Sequence, residues 1–164
     1  MRGQTTDYLL KLLDTFNPTK VLDIGSLDIN GSVRKLFKHE YVGVDMRKGG
    51  NVDVVLNGHD LLTKFKEEEF DLVCSFDTFE HDDAFWVTLD QMKKVLKPGG
   101  WIVLGFPGRN CEEHDHPSDY WRFMPGSAKI MLGDYEEFSF EVQYDDPLHK
   151  WEDAIYCMGR KPCK

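Results

Sequence analysis

Apolar positions along the chain alternate between helical and strand spacing. Leu9, Leu12, Leu13 and Phe16 fall on one helical face, and Asn17–Pro18 stop that helix. "KVLDIG" (20–25) is a nearly continuous apolar run, as expected of a strand covered on both faces. Val33, Leu36 and Phe37 place a short helix after it. "YVGVD" (41–45), "VDVVL" (52–56) and "FDLVCSF" (70–76) read as the next three strands, with "NGHDLLTKFKEEE" between the last two as a turn and one short helix. Phe85, Leu89, Met92 and Leu96 recur at helical spacing and predict a helix from about Asp83 to Lys97, ended by "KPGG". "WIVLGFP" (101–107) is a fifth strand. A polar loop runs from Gly108 to Phe123, and Pro125 opens a short helix. "EFSFEVQY" and "DAIYCMGR" follow as two strands with no crossover helix between them, which predicts an antiparallel hairpin.

Alternating helices and strands of this kind predict an α/β fold, a three-layer sandwich around a mostly parallel sheet. The length of 164 residues fits one domain, 1–164, with residues 1–19 as a helical cap. No apolar run reaches the roughly 18 residues of a membrane span. The amphipathic start, "MRGQTTDYLLKLLDTF", is unlike a signal core, so a cytoplasmic protein is expected. Cys74, Cys111, Cys157 and Cys163 show no metal-ligand spacing and read as free thiols. The net charge of −9, with acidic clusters such as "KEEEF" and "GDYEEF", disfavours nucleic acid as a partner and suits small neutral or cationic ligands.

In sheets of this class, ligands bind beyond the carboxyl ends of the strands. Asp23 with Gly25, Asp45, Asp60, Phe76 with Asp77, and Phe106 with Pro107 end the five strands or follow them directly. Asp45 comes 20 residues after Gly25, where a carboxylate accepts hydrogen bonds from ribose hydroxyls; the alternative is a solvated strand-end aspartate. Asp60 in "GHDL" suits an adenine amino group, with Met46 or Leu61 packing on the ring, or else caps the helix that follows. The loop "GSLDINGS" (25–32) lacks the middle glycine of a dinucleotide fingerprint, and Asp23 and Asp28 flank it. Pyrophosphate fits poorly there. A ligand with a ribose, an adenine and an ammonium-bearing tail fits well.

These residues resemble a small class I S-adenosylmethionine-dependent methyltransferase of the methyltransferase-11-like group. The resemblance rests on "VLDIGSLDINGS", "YVGVDM", "GHDL", "FDLVCSFDTFEH" and "VLKPGGWIVLGFPG", with "HPSDYWRFMP" farther on, and covers about Val21 to Pro125. It implies a seven-stranded, Rossmann-like sheet whose last strand is antiparallel. It implies S-adenosyl-L-methionine as cofactor, with S-adenosyl-L-homocysteine as product. The cofactor residues it points to are Asp23, Gly25, Ser26, Asn30, Asp45, Met46, Asp60, Leu61 and Phe76. The loop departs from the usual GxGxG at Leu27, and the Asn30 amide stands in for a glycine contact.

A methyl on a sulfonium needs alignment above all, and an acceptor carrying a proton also needs a base. His81, Asp77 and Tyr120 are the catalytic candidates; Glu80, His114, His116 and Asp119 lie in the same stretches. "HDH" at 114–116 with His81 is weak as a metal motif, and no metal is expected. Residues 107–124 read as a lid over the substrate, pinned by Tyr120, Trp121 and Phe123, with Arg122 facing either a substrate anion or one of the many acids. The chain has little room for added recognition elements, which favours a small acceptor or one presented by a partner protein. A non-catalytic module that keeps the fold and binds the cofactor is the competing reading, and the broken fingerprint argues against a nicotinamide oxidoreductase.

Overall fold

The computed structural model describes residues 3–29, 31–114, 118–144 and 153–163. Among these are seven strands: β1 (Lys20–Ile24), β2 (Glu40–Asp45), β3 (Val54–Val55), β4 (Phe70–Phe76), β5 (Leu96–Pro107), β6 (Glu136–Tyr144) and β7 (Asp153–Arg160). They form one sheet in the order β3-β2-β1-β4-β5-β7-β6. The first five are mutually parallel, and β7 runs antiparallel to both of its neighbours. The expected terminal hairpin is therefore present, with its second strand inserted beside β5.

Because side chains alternate across a strand, the central strands feed two apolar layers. Leu22, Ile24, Val73, Ile102, Leu104 and Ile155 face α2 (Phe85–Val95) and α3 (Pro125–Leu132), which contribute Leu89, Met92, Val95, Ala128 and Leu132. Val21, Leu72, Cys74, Val103 and Tyr156 face α1 (Gly3–Leu13) through Tyr8, Leu9 and Leu12. Leu13 and Phe16, from the same predicted helical face, pack at the edge of that second layer. This is the three-layer arrangement expected from the hydrophobic pattern.

Three elements differ from their sequence signals. The helix after β1 is only one 3-10 turn, Arg34–Leu36. Few residues remain between the polar loop and β2 at Glu40, and the Ser32 hydroxyl accepts the Arg34 amide at 3.1 Å at the entry to the turn. The helix read as 83–97 stops at Val95, because Leu96 already pairs with Phe70 in the β4–β5 ladder. "KPGG" is consequently the irregular first part of β5 itself, not a helix terminator. Gly99 has φ +75° there, and a side chain on Gly100 would press into the Asp71 carbonyl at 2.9 Å. The third strand shrinks to Val54–Val55, with Val55 exposed at the sheet edge.

The order places β1 between β2 and β4, the point where strand succession reverses. The carboxyl ends of these three strands surround one crevice, as the topology rule requires.

Candidate active site

The chain leaves β1 through a turn that only glycine accommodates. Gly25 has φ +77°, and its absent Cβ would lie 1.9 Å from Thr78 Oγ1. The Gly25 and Ser26 amides both donate to the Val44 carbonyl at 2.8 and 3.0 Å, so the loop is sewn to the end of β2. Asp45 fastens it again. One of its oxygens accepts the Leu27 amide at 3.3 Å and the other the Arg47 amide at 2.8 Å. These bonds use half of the carboxylate's acceptor capacity and hold it at a fixed angle to the crevice.

Asp23 sits one pleat deeper and is buried. The Tyr41 hydroxyl donates to its carboxylate, and the Cys74 thiol lies 3.6 Å from the other oxygen. Burial pushes the Asp23 carboxyl up to about 6, against the opposing effect of the Tyr41 hydrogen bond. Gly43, paired with Asp23 across the ladder, is also forced by space: a Cβ there would meet the Asn51 carbonyl at 2.2 Å. Asn51 closes the back of the site. Its amide donates to the Ser26 carbonyl at 2.8 Å, and Arg34 donates to its side-chain and main-chain oxygens while pairing with Asp53. The Arg34 guanidinium also stacks over the Tyr41 ring, 4.3 Å from its centre.

These groups border a cavity of about 980 Å³. Of the residues singled out for the cofactor, Asp23, Gly25, Ser26, Asp45, Met46 and Phe76 line it. All three catalytic candidates, Asp77, His81 and Tyr120, line it as well. Asn30 and His116 lie outside the described residues. Asp60 and Leu61 are not among the residues that line the cavity. Leu61 is fully buried in the α2 layer, Asp60 is exposed, and the cap of their 3-10 turn is Asn57, whose side chain accepts the His59 amide. Asn57 and His59 reach the cavity from that segment instead.

The opposite wall comes from the segment after β4. Asp77 adopts φ +48°, an unfavourable conformation for a non-glycine residue, and its amide donates to the Gly105 carbonyl at 2.9 Å. A 3-10 turn, Phe79–His81, follows. His81 Nδ1 donates to the Ser118 carbonyl at 2.6 Å, which leaves Nε2 as its unprotonated nitrogen in the neutral ring. Glu80 is 1% exposed, and neither of its carboxylate oxygens has a hydrogen-bond partner among the described residues. Burial, with the Asp77 charge adding to it, raises its carboxyl to about 8. Asp82 accepts from His59 at 2.8 Å, from the Ala84 amide at 2.9 Å and from Thr88 at 2.5 Å, which fixes the start of α2.

The loop 108–123 is held at several points. The Tyr120 amide donates to the Glu80 carbonyl at 2.7 Å, and Trp121 Nε1 donates to the Asp82 carbonyl at 2.8 Å. Phe123 packs on Phe106 and Phe85, with ring centres 4.5 and 5.2 Å away. The aromatics thus pin the loop, as their density suggested. Of the two readings of Arg122, the structure selects pairing with an acid. Its guanidinium grips Asp119 with both ends and also donates to the Cys111 carbonyl at 2.8 Å and the Glu112 carbonyl. This pairing holds the Asp119 carboxyl down at about 2.

Sequence reading did not single out Tyr41, Asn51, Arg34 or Thr78. Tyr41 alone had a usable signal: it lies two residues before Gly43, on the same face of β2, and so diagonally across from Asp23.

Residues 3–104 match the family described as "Methyltransferase domain". The chain belongs to this family. It is 26% identical over 146 residues to the demethylmenaquinone methyltransferase of Geobacillus kaustophilus (strain HTA426), covering 83% of this chain and 57% of that protein. The chain therefore spans little more than half the length of that relative. A crystal structure of a SAM dependent methyltransferase from Archaeoglobus fulgidus matches with a TM-score of 0.75 at 16% identity, over 98% of this chain and 95% of that one. The Burkholderia thailandensis 1,6-didemethyltoxoflavin-N1-methyltransferase, with bound 1,6-didemethyltoxoflavin and S-adenosylhomocysteine, matches with a TM-score of 0.68 at 19% identity, over 98% and 78%. The sheet is that of class I S-adenosylmethionine-dependent methyltransferases. No helix among the described residues of this family member is long and apolar enough to cross a membrane.

Proposed function

We propose that the protein transfers the methyl group of S-adenosylmethionine to a small acceptor, free or presented by a partner protein. The observation that carries this reading is one cavity lined by Asp23 and Asp45 together with Asp77, His81 and Tyr120. Two carboxylates and the sharp Gly25 turn suit a ribose diol and a cationic tail, whereas a phosphate would meet negative charge on both sides. A volume of about 980 Å³ lies at the upper end of the roughly 300–1,000 Å³ typical of small-molecule sites. It leaves room for a second small molecule beside the cofactor.

Bound there, S-adenosylmethionine supplies a methyl group already activated on a sulfonium and leaves as S-adenosylhomocysteine. Asp45 would hold the ribose, Asp23 the ammonium side, and Met46 and Phe76 the apolar surfaces. The protein's main task is then to align the acceptor atom with the methyl and to exclude water, effects that can supply about 7–11 kcal/mol of a barrier. An acceptor oxygen or nitrogen aligned there would take the methyl as the sulfur–methyl bond gives way. The acceptor's proton passes to a base on the Asp77–His81–Tyr120 wall or to solvent. The loop 107–124 serves as the lid over the acceptor.

Calorimetric titration with S-adenosylhomocysteine, with NADH as control, tests the cofactor half of this reading. Micromolar binding that disappears in Asp45→Ala is expected. Transfer of a labelled methyl to a panel of small oxygen and nitrogen acceptors tests the other half. Binding without transfer to any of them selects the non-catalytic module instead.

A further inference from the structure

We infer that Glu80, His81 and His114 form a binding site for a divalent transition-metal ion of the zinc class. Glu80 Oε1 lies 3.8 Å from His81 Nε2 and 3.9 Å from His114 Nε2, and one ligand atom from each residue lies within 4.8 Å of the others. A tetrahedral ion with bonds of about 2.0–2.1 Å spaces its ligands roughly 3.4 Å apart. The two carboxylate–imidazole edges therefore need to close by about half an ångström, and the edge between the imidazoles, within 4.8 Å, can close with them because His114 belongs to a loop.

Two independent features point to a cation. The first is the Glu80 carboxylate: it is 1% exposed, directed at both imidazoles, and without a hydrogen-bond partner among the described residues. Buried carboxylates are ordinarily paired or bound to metal. The second is the orientation of the two rings. His81 Nδ1 donates to the Ser118 carbonyl at 2.6 Å and His114 Nδ1 to the Glu112 carbonyl at 3.1 Å. A carbonyl only accepts, so both rings carry their proton on Nδ1 and direct the lone pair of Nε2 toward Glu80. Backbone carbonyls behind metal-binding histidines play this part widely. Two histidines and one carboxylate also make a donor set with open positions, suited to zinc or iron(II). Asp77 and Asp119 add negative charge nearby, opposed by Arg122.

The second group of possible ligands, His59, Asp82 and Asp83, contrasts with this one. There the Asp82 carboxylate is already used by His59, Thr88 and the Ala84 amide. An ion held by the first trio would tie the loop residue His114 to the turn after β4. His81 and His114 both line the cavity, so its remaining positions would face the space assigned to the acceptor. That last step rests on the methyltransferase reading; the ion site itself does not.

The test is titration of the purified, metal-stripped chain with Zn²⁺, and with Co²⁺ as a spectroscopic probe. One equivalent is expected to bind at micromolar or lower concentration, with a Co²⁺ ligand-field band of low-coordinate nitrogen–oxygen ligation. His114→Ala and Glu80→Gln are each expected to weaken binding by at least about tenfold, and His59→Ala to leave it unchanged. His114 is on a half-exposed loop position, so its variant keeps the test alive if Glu80→Gln fails to fold. Absence of stoichiometric binding, or binding equally strong in His114→Ala, overturns the inference. The same samples are titrated with S-adenosylhomocysteine. Cofactor binding without zinc binding removes this inference alone, and zinc binding without cofactor binding removes the methyltransferase reading alone.

Discussion

The Tyr41 hydroxyl donates a hydrogen bond to the buried carboxylate of Asp23, from the neighbouring strand and diagonally across the ladder. It partly offsets the burial that pushes this carboxyl up to about 6. The pair makes one of the two proposed cofactor carboxylates sensitive to pH. Affinity for S-adenosylhomocysteine is expected to rise as pH increases through about 6, as Asp23 ionises opposite the ligand's ammonium. Tyr41→Phe removes the donor and is expected to move that rise to higher pH. Calorimetry at several pH values reads both effects, and a flat wild-type profile would refute them.

The same group sets a dependence of stability on pH. Its folded-state value lies above the usual carboxylate value near 4, so the folded protein holds this proton more tightly than the unfolded chain. The stabilisation is full below about pH 4 and is lost as pH rises through about 6. In urea titrations, wild type is expected to lose stability across that window relative to Asp23→Asn, which carries no titrating group at this position.

Gly25→Ala meets two obstacles at once, a positive φ and Thr78 at 1.9 Å. Left-handed backbone costs an ordinary residue about 1–2 kcal/mol, and the contact adds to this. Adding Thr78→Ala to Gly25→Ala removes the Oγ1 and Cγ2 contacts but keeps Thr78 Cβ at 2.8 Å, so it is expected to recover most of the contact part and none of the backbone part. Denaturation midpoints of the two singles and the double separate these terms.

Asp60→Ala and Leu61→Ala are expected to behave oppositely. Asp60 is exposed and not among the residues that line the cavity, so its loss is expected to leave S-adenosylhomocysteine affinity within about twofold. Leu61 is fully buried, and truncation costs roughly 2–5 kcal/mol of stability. Chemical denaturation and calorimetry on the two variants check both statements.

Arg122 fastens the loop through Asp119 and two backbone carbonyls. Arg122→Lys loses the two-pronged geometry and is not expected to rescue the effect of Arg122→Ala. Limited digestion with trypsin, which cuts after the exposed Arg109 in that loop, is expected to speed up in both variants. Melting temperature is expected to drop by the equivalent of about 1–3 kcal/mol.

The sheet was legible in the sequence because strands covered on both faces must be apolar throughout, and "KVLDIG" and "FDLVCSF" are. The terminal hairpin was legible from the missing crossover helix. What escaped was set by length and by neighbours distant in sequence. The helix after β1 shrank because the polar loop used up the residues available to it. Leu96 continued a helical period yet belonged to β5, since a buried leucine serves either element. At the site, strand-end carboxylates declared themselves by position. Tyr41 and Asn51 did not, because their partners, Asp23 and Ser26, come close only after the strands pair.

The single 3-10 turn after β1 has a further consequence. A long helix at that point would aim a positive dipole end at the ligand and favour anions. Here that field is almost absent, while the strand-end carboxylates remain. On the proposed reaction, each cycle converts a sulfonium cation into a neutral thioether inside a negatively charged cavity. The exchange of spent cofactor for fresh is then biased by a whole unit of charge. Product inhibition is expected to be weakest at low ionic strength and to grow as salt screens the difference.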